Sequence, residues 1–333
     1  MQFHTFPDTD LVVSRLCFGC WGIIGDLMWG DRSEDDSKQA MRAAIDAGVN
    51  FFDTAPMYGD GQSEILLGRF LTDHGGRDET VIATKIRPSQ MRPEQVRQEC
   101  EESLQRLQTD YIDLYQTHWT DRDVPLAETW GAMRELQQQG KVRQIGVCNM
   151  GVGDLAEVVP AQKPLTNQLP YNLLSRMIEF EIQPYCVKSD IGILVYSSLL
   201  HGILADKYRY ASEVPEGKAR TRHFSKSRRH TRHDEEGCES EMFDTLSQIR
   251  EIASGMQLTM AEVALKWLMH QAGVASVIAG AGNAEQLNSN VRFLAQELPE
   301  STLLELNEAT SAVKTYLGSN ADLWDPGENG RFR

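Results

Sequence analysis

Along almost the whole chain, short apolar runs alternate with longer stretches in which apolar residues recur every three or four positions. The short runs suit strands buried on both faces, and the longer ones suit helices with a single apolar stripe. Eight strand–helix units can be read in this way. Arg15–Gly19 is predicted as a strand followed by a helix over Asp35–Ala47, with Gly48 in the left-handed position that ends a helix. Val49–Asp53 precedes a helix through Ser63–Leu71. Thr80–Lys85 precedes Pro93–Leu107, whose proline fits a first helical turn. Tyr111–His118 pairs with Leu126–Gln139, Val142–Val147 with a short helix near Asp154–Val159, and Leu165–Gln168 with Ser175–Ser189. Gly192–Ser197 is the seventh strand and Ala275–Ile278 the eighth, with helices near Glu241–Met256 and Thr259–His270 between them.

What remains is peripheral. Met1–Pro7 and Leu11–Val13 flank Asp8-Thr9-Asp10 and predict a small hairpin over one end of the fold. Leu199–Glu239 is a long insertion of the kind used as a lid or binding loop. Helices are predicted over Ala284–Phe293 and Ser301–Val313, and residues 319–333 form a tail rich in Gly, Asp and Asn. An uninterrupted series of eight units closes most simply into a (β/α)8 barrel, a single domain over residues 1–333. A doubly wound sheet would want G-x-G-x-x-G after its first strand. Here that place holds Phe18-Gly19-Cys20-Trp21-Gly22-Ile23, and the partial match Gly280-Ala281-Gly282 comes late.

Composition narrows the function classes. The 333 residues are 41% hydrophobic, enough for a large core, and the formal charge of −15 disfavours nucleic acid and anionic membranes as partners. No apolar run reaches the roughly 18 residues of a membrane span, and Met1–Asp10 does not read as a signal peptide, so a cytoplasmic protein is expected, monomeric or homo-oligomeric. Six scattered cysteines are too sparse for a disulfide scaffold. Cys17-Phe18-Gly19-Cys20 lies along an apolar run and reads as buried thiols rather than a zinc or redox motif. His230 and His233 lack partners at metal spacing, so no metal site is assigned.

In such a barrel the active site lies at the C-terminal ends of the strands. Three successive strands end there in chemistry-bearing residues: Asp53, Lys85 and His118, with Tyr58 in the loop after Asp53. A phenol is a poor acid–base group at its ordinary pKa near 10. A neighbouring ammonium would stabilise the phenolate and lower that value, and a carboxylate would hold the ammonium in place. An imidazole beside the same oxygen could orient a carbonyl, as an oxyanion-hole donor does. The set suits proton donation to a carbonyl oxygen while hydride arrives at carbon.

The segments carrying these residues resemble the aldo-keto reductase family. They are Asp46-Ala47-Gly48-Val49-Asn50-Phe51-Phe52-Asp53-Thr54-Ala55 with Tyr58-Gly59, Ala83-Thr84-Lys85, and Leu114-Tyr115-Gln116-Thr117-His118-Trp119. The similarity runs from Leu16 to about Asn290. It implies that Tyr58 is the general acid/base, tuned by Lys85, that Asp53 supports Lys85, and that His118 orients the substrate carbonyl. It also implies an extended NADP(H) bound without a Rossmann domain. Gly146-Val147-Cys148-Asn149 resembles the family's Gly-Val-Ser-Asn and, with Gln168, would hold the nicotinamide carboxamide, although a thiol at Cys148 is a poorer donor than serine. Tyr196 would stack under the nicotinamide, beside Cys20 and Trp21. Backbone around Ser197, Ser198 and Leu199, then Gly202, Leu204 and Lys207, would follow the pyrophosphate. Gly280, Gly282, Gln286 and Asn290 resemble the adenosine-phosphate site, where a helix N-terminus favours anions. Because Gly282 stands where relatives often carry Arg or Ser against the 2′-phosphate, NAD(H) stays open beside NADP(H).

Lys218, Arg220, Arg222, Lys226, Arg228, Arg229 and Arg232 crowd one stretch of the insertion. The stretch reads as a solvated flexible loop, or more sharply as one in which Arg220 or Arg222 closes over the cofactor phosphates. Trp21, Trp29, Met57 and Trp119, with Tyr58 and His118, are candidates for an apolar pocket taking a small carbonyl or sugar-like substrate, though the aromatics could equally plug the barrel. The resemblance extends to cofactor-sensing β subunits of potassium channels, which retain the same four residues. A barrel beginning almost at Met1, with no charged N-terminal extension, favours the enzyme. A metal-dependent barrel hydrolase or isomerase would need a cluster of His and carboxylates that the strand ends lack.

Overall fold

The computed structural model of the chain describes residues 1–25, 30, 32–292, 297–327 and 331–333. Eight parallel strands close into a barrel: β3 (Leu16–Gly19), β4 (Phe51–Asp53), β5 (Val81–Ile86), β6 (Ile112–Thr117), β7 (Val142–Cys148), β8 (Thr166–Pro170), β9 (Gly192–Tyr196) and β10 (Val274–Ala279), the last pairing with β3. Every residue of β5 and β6 is buried, the polar Thr84, Lys85, Asp113, Gln116 and Thr117 included, so neither strand shows the in–out alternation of a half-exposed one. The antiparallel hairpin β1 (Phe3–Thr5) and β2 (Val12–Ser14) carries Phe6, Leu11 and Val13 into one end of the barrel. There they pack with Cys17, Phe51, Ala83, Leu114, Leu194 and Ala275. A larger apolar layer lies between the strands and the surrounding helices.

Those helices are α1 (Glu34–Asp46), α2 (Gln62–His74), α3 (Pro93–Leu107), α4 (Leu126–Gln138), α5 (Val152–Val158), α6 (Ile182–Lys188), α7 (Glu239–Gly255), α8 (Met260–Met269), α9 (Ala284–Arg292), α10 (Glu300–Ala309) and α11 (Ser311–Leu317). Local chemistry sets their ends. Ser33 Oγ accepts from Asp36 N at 3.0 Å to cap α1, and Gly48 follows at φ +82°. Thr259 and Glu262 form a reciprocal capping box on α8.

Two predicted helices are broken. The stretch Ser175–Ser189 holds a 3-10 turn at Met177–Glu179 and then α6, because a longer helix would place Pro184 in its interior. Starting at Ile182 puts that proline in the first turn, where its missing N–H costs nothing. Ser301–Val313 divides into α10 and α11 at Thr310, whose hydroxyl donates to Leu306 O at 2.8 Å and accepts from Arg176 Nη1 at 2.8 Å. The predicted end of α9 at Phe293 lies outside the described residues.

Much of the basic stretch is packed, with Arg222, Lys226 and Arg228 ion-paired, which corrects its reading as a solvated flexible loop. Apolar Val214, Ala219 and Phe224 are buried, Lys226 pairs with Glu236, and Arg228 with Glu216 and Glu239. Arg222 is buried and donates to Glu235 and to the carbonyls of Leu317 and Asn320 at 2.7–2.9 Å. It is a strut for the C-terminal segment, and the expectation that it closes over phosphates does not hold. The described residues of the tail are held as well: Arg331 forks onto Asp322, and Asp154 N on α5 donates to Arg333 O at 2.9 Å. Among the described residues no helix is long and apolar enough to cross a membrane.

Candidate active site

Asp53, Lys85 and His118 come together because β4, β5 and β6 are neighbours whose C-terminal ends share one barrel mouth. Lys85 is fully buried. Its Nζ donates to both oxygens of Asp53 at 2.9 and 2.8 Å, to Thr54 O at 2.8 Å and to Tyr58 Oη at 3.2 Å. Since the ammonium donates to the phenol oxygen, the hydroxyl proton of Tyr58 is left to point elsewhere. Trp21 stacks on the Tyr58 ring at 5.9 Å and His118 meets it edge-on, also at 5.9 Å. His118 Nδ1 is buried without a hydrogen-bond partner.

The loop carrying Tyr58 is held from two sides. Ser63 Oγ, at the start of α2, pairs with Thr54 Oγ1 at 2.9 Å and donates to Cys20 O at 2.8 Å. Arg87, two residues beyond Lys85, donates to Pro56 O at 3.0 Å and to Asp60 at 2.7 Å, and reaches buried Glu99 at 3.4 Å. Arg87 is a supporting residue that the strand-end argument did not single out.

Burial disfavours the charged form of Lys85, yet Asp53 outweighs it and holds the ammonium above the ordinary lysine range. Tyr58 departs from expectation. Burial pushes its pKa up, and the pull of Lys85 in the other direction only partly offsets this, so the phenol keeps its proton through neutral pH. For His118, burial and then Lys85 depress the pKa well below the usual imidazole value, leaving a neutral ring. Cys148 is buried beneath the site and burial lifts its thiol, so it stays neutral.

The expected cofactor residues line an arc from β7 to α9. Gln168 Nε2 donates to Asp53 at 2.8 Å, leaving its Oε1 for a ligand. Asn149, at φ +58°, donates to His118 O at 3.0 Å and accepts from Tyr196 Oη at 2.8 Å, which fixes the Tyr196 ring. Beyond Tyr196 the chain turns through left-handed conformations at Ser197, Leu200, His201, Gly202 and Asp206. Non-glycine residues pay about 1–3 kcal/mol each for such backbone, a cost found where a ligand is clamped. Within this loop Ser198 Oγ donates to Ile278 O, and the amides of Gly202 and Leu204 donate to Leu199 O. Lys207 is exposed and lies along Gly202. At the start of α9, Gln286 accepts from Gly282 N at 2.9 Å and Asn290 Nδ2 donates to Gly280 O at 3.3 Å. Cys20 is buried, its carbonyl taken by Ser63. Arg220 is half-buried near His201. An extended dinucleotide fits this arc: a planar ring on Tyr196, a free amide oxygen at Gln168, a strained loop, and cations beyond it.

Met57 is exposed at the mouth, and Trp29 lies outside the described residues. Trp119 is covered by the C-terminal tail, with the Arg331 guanidinium 3.8 Å over its ring and Phe332 edge-on at 5.7 Å. Trp324 lies parallel to Tyr196 at 6.1 Å. The tail thus forms one wall of the site. Two aromatic residues within an otherwise polar, glycine-rich tail were the available signal, since a solvated tail has no use for them.

Comparison with known proteins identifies the family and the fold. A family model described as "Aldo/keto reductase family" matches residues 15–310. The chain is 35% identical over 301 residues to "Aldo-keto reductase YhdN" of Bacillus subtilis (strain 168), covering 87% of each. Its fold is similar to that of the glycerol dehydrogenase AKR11B4 from Gluconobacter oxydans, at 27% identity and TM-score 0.81, over 93% of this chain and 95% of that one. It is also similar to an aldo/keto reductase from Klebsiella pneumoniae solved with NADP and acetate, at 28% identity and TM-score 0.70, over 89% and 91% of the two chains.

Proposed function

Because the chain belongs to the aldo/keto reductase family and is an NAD(P)H-dependent oxidoreductase of carbonyl compounds, we propose that it reduces a small aldehyde, ketone or sugar-like carbonyl with Tyr58 as the proton donor. The reading rests on one observation, the buried Lys85 ammonium, paired with Asp53, donating to Tyr58 Oη beside the neutral, edge-on His118. When bound, the dihydronicotinamide supplies the hydride.

The chain's own part is positional and electrostatic. His118 donates to the substrate oxygen and holds the carbonyl near Tyr58 Oη. As negative charge develops on that oxygen, Tyr58 gives up its proton to it, and the Lys85 ammonium stabilises the tyrosinate that remains. Asp53 keeps the ammonium in place. In alcohol oxidation the same groups run backwards, with tyrosinate as base. Gln168 and Asn149 would hold the carboxamide, Tyr196 the nicotinamide face, the Ser197–Lys207 loop the pyrophosphate, and Gly280–Asn290 with Arg220 the adenosine end. NADP(H) is favoured by the cations along this arc, with NAD(H) the alternative.

Titration with NADPH and NADH, followed by turnover on a panel of aldehydes and ketones, tests the reading. Tyr58→Phe is expected to lower kcat by about 10²–10⁴ while NADPH still binds. Undiminished turnover in Tyr58→Phe would sink the assignment. Tight NADPH binding with no turnover on any carbonyl would favour a cofactor-sensing regulatory subunit instead.

A further inference from the structure

Among the described residues, Arg32, in the loop between β3 and α1, has no ion pair and its buried Nε no hydrogen-bond partner. Its guanidinium lies on Gly282. A Cβ built there would come within 2.4 Å of Arg32 Cζ and Nη1 and 2.7 Å of Nη2. Gly282 is not in the left-handed region, so space alone requires glycine, and any side chain at 282 would evict the guanidinium.

Other cations gather at the same corner. Burial and then the charge of Arg32 lower the pKa of Lys218, and burial followed by Arg220 and Lys218 brings that of His201 down to about 4. Lys207 comes 3.2 Å from the Cβ position of Gly202, next to His201. Burial and cations account for the shifts at both Lys218 and His201, in a protein whose net charge is −15. Like charges collected around a buried unpartnered donor call for an anion. The corner sits at the loops after β9 and β10 beside the start of α9, where (β/α)8 barrels commonly bind phosphate. The helix start offers little by itself. Gln286 already accepts from Gly282 N and Asn283 from Gln286 N, both at 2.9 Å, so the side chains must supply the attraction.

We propose that Arg32 binds the 2′-phosphate of NADP(H) and thereby sets the preference for NADP(H) over NAD(H), with Gly282 making room for it. The inference rests on the dinucleotide binding of the proposed function. The pyrophosphate, common to both dinucleotides, has the Ser197–Lys207 loop directly beyond Tyr196, whereas Arg32 lies against Gly282 from the loop after β3, which the barrel order sets across β10 from that segment. A phosphomonoester carries nearly two negative charges and matches the planar guanidinium fork, which suits it to this position.

Calorimetric or fluorescence titration of NADP+, NAD+, 2′,5′-ADP and 5′-AMP into the full chain tests the assignment. Arg32→Ala is expected to weaken NADP+ and 2′,5′-ADP by about 10–100-fold, as for a lost charge-assisted contact, and to move NAD+ and 5′-AMP by less than about twofold. Arg32→Lys should recover part of the loss. Gly282→Leu, which displaces the guanidinium without removing it, should reproduce the selective loss. Equal weakening of NAD+ and NADP+ would place Arg32 on the pyrophosphate and overturn the proposal, as would no change in either. If the unaltered chain binds neither dinucleotide, the oxidoreductase reading falls first and this inference with it.

Discussion

Separating the structural from the catalytic use of the Asp53–Lys85 pair gives a quantitative test of the site. Both side chains are buried, at 4% and 0% exposure, and among the described residues each is the other's only opposite charge within hydrogen-bond distance. Asp53→Asn removes the negative charge and leaves the ammonium only neutral acceptors, Thr54 O, Tyr58 Oη and the new amide oxygen. Lys85→Met leaves the carboxylate with one donor, Gln168 Nε2. Removing one partner of a buried pair costs about 3–5 kcal/mol, because the surviving charge stays desolvated and uncompensated. Removing both charges together avoids that penalty, so the double variant should lie within about 3 kcal/mol of the parent, where additivity would predict about 6–10. Urea unfolding of the parent, both single variants and the double variant measures the difference. Turnover should be lost in all three variants, since Tyr58 has lost the ammonium at 3.2 Å in two of them and its anchored position in the third. A coupling energy under about 0.5 kcal/mol, within ordinary additivity, would refute the reasoning.

Three further outcomes follow from the same geometry. Because burial holds Tyr58 protonated and His118 neutral, kcat/KM for reduction should stay level from about pH 6 to 9. Alcohol oxidation should rise with pH as the scarce tyrosinate grows. A reduction profile falling steeply between about pH 6 and 8 would assign the proton to an imidazole instead. Arg87→Ala frees Pro56 O and loosens the Tyr58 loop, so steady-state kinetics should show kcat down about tenfold with NADPH affinity unchanged. The contact of Arg87 with exposed Asp60 should matter little, and Asp60→Ala serves as the comparison. Trp324→Ala opens the wall beside Tyr196, and a panel of carbonyls should show KM raised several-fold at nearly constant kcat.

The barrel and the four candidate site residues were legible in the chain because they depend on local information. A strand buried on both faces is mostly apolar, so charged or imidazole side chains such as Lys85 and His118 stand out near the C-terminal ends of these runs, and parallel order brings those ends to one mouth. Gly48 and Pro93 were legible for the same reason, since caps and first turns are set by one residue's backbone. Pro184 carried an equally local signal, and its incompatibility with a helix interior accounts for the break that the apolar periodicity of Ser175–Ser189 concealed. What periodicity does not encode is which distant residues share a corner and how dry that corner is. Arg222 and Arg32 look alike in the sequence, yet one is consumed by Glu235 and two carbonyls while the other, without an ion pair among the described residues, lies on Gly282, some 250 positions away. The pKa of Tyr58 turns on the same kind of fact. The sequence placed a lysine beside the phenol, but the amount of solvent that the folded barrel removes from both decided that the proton stays.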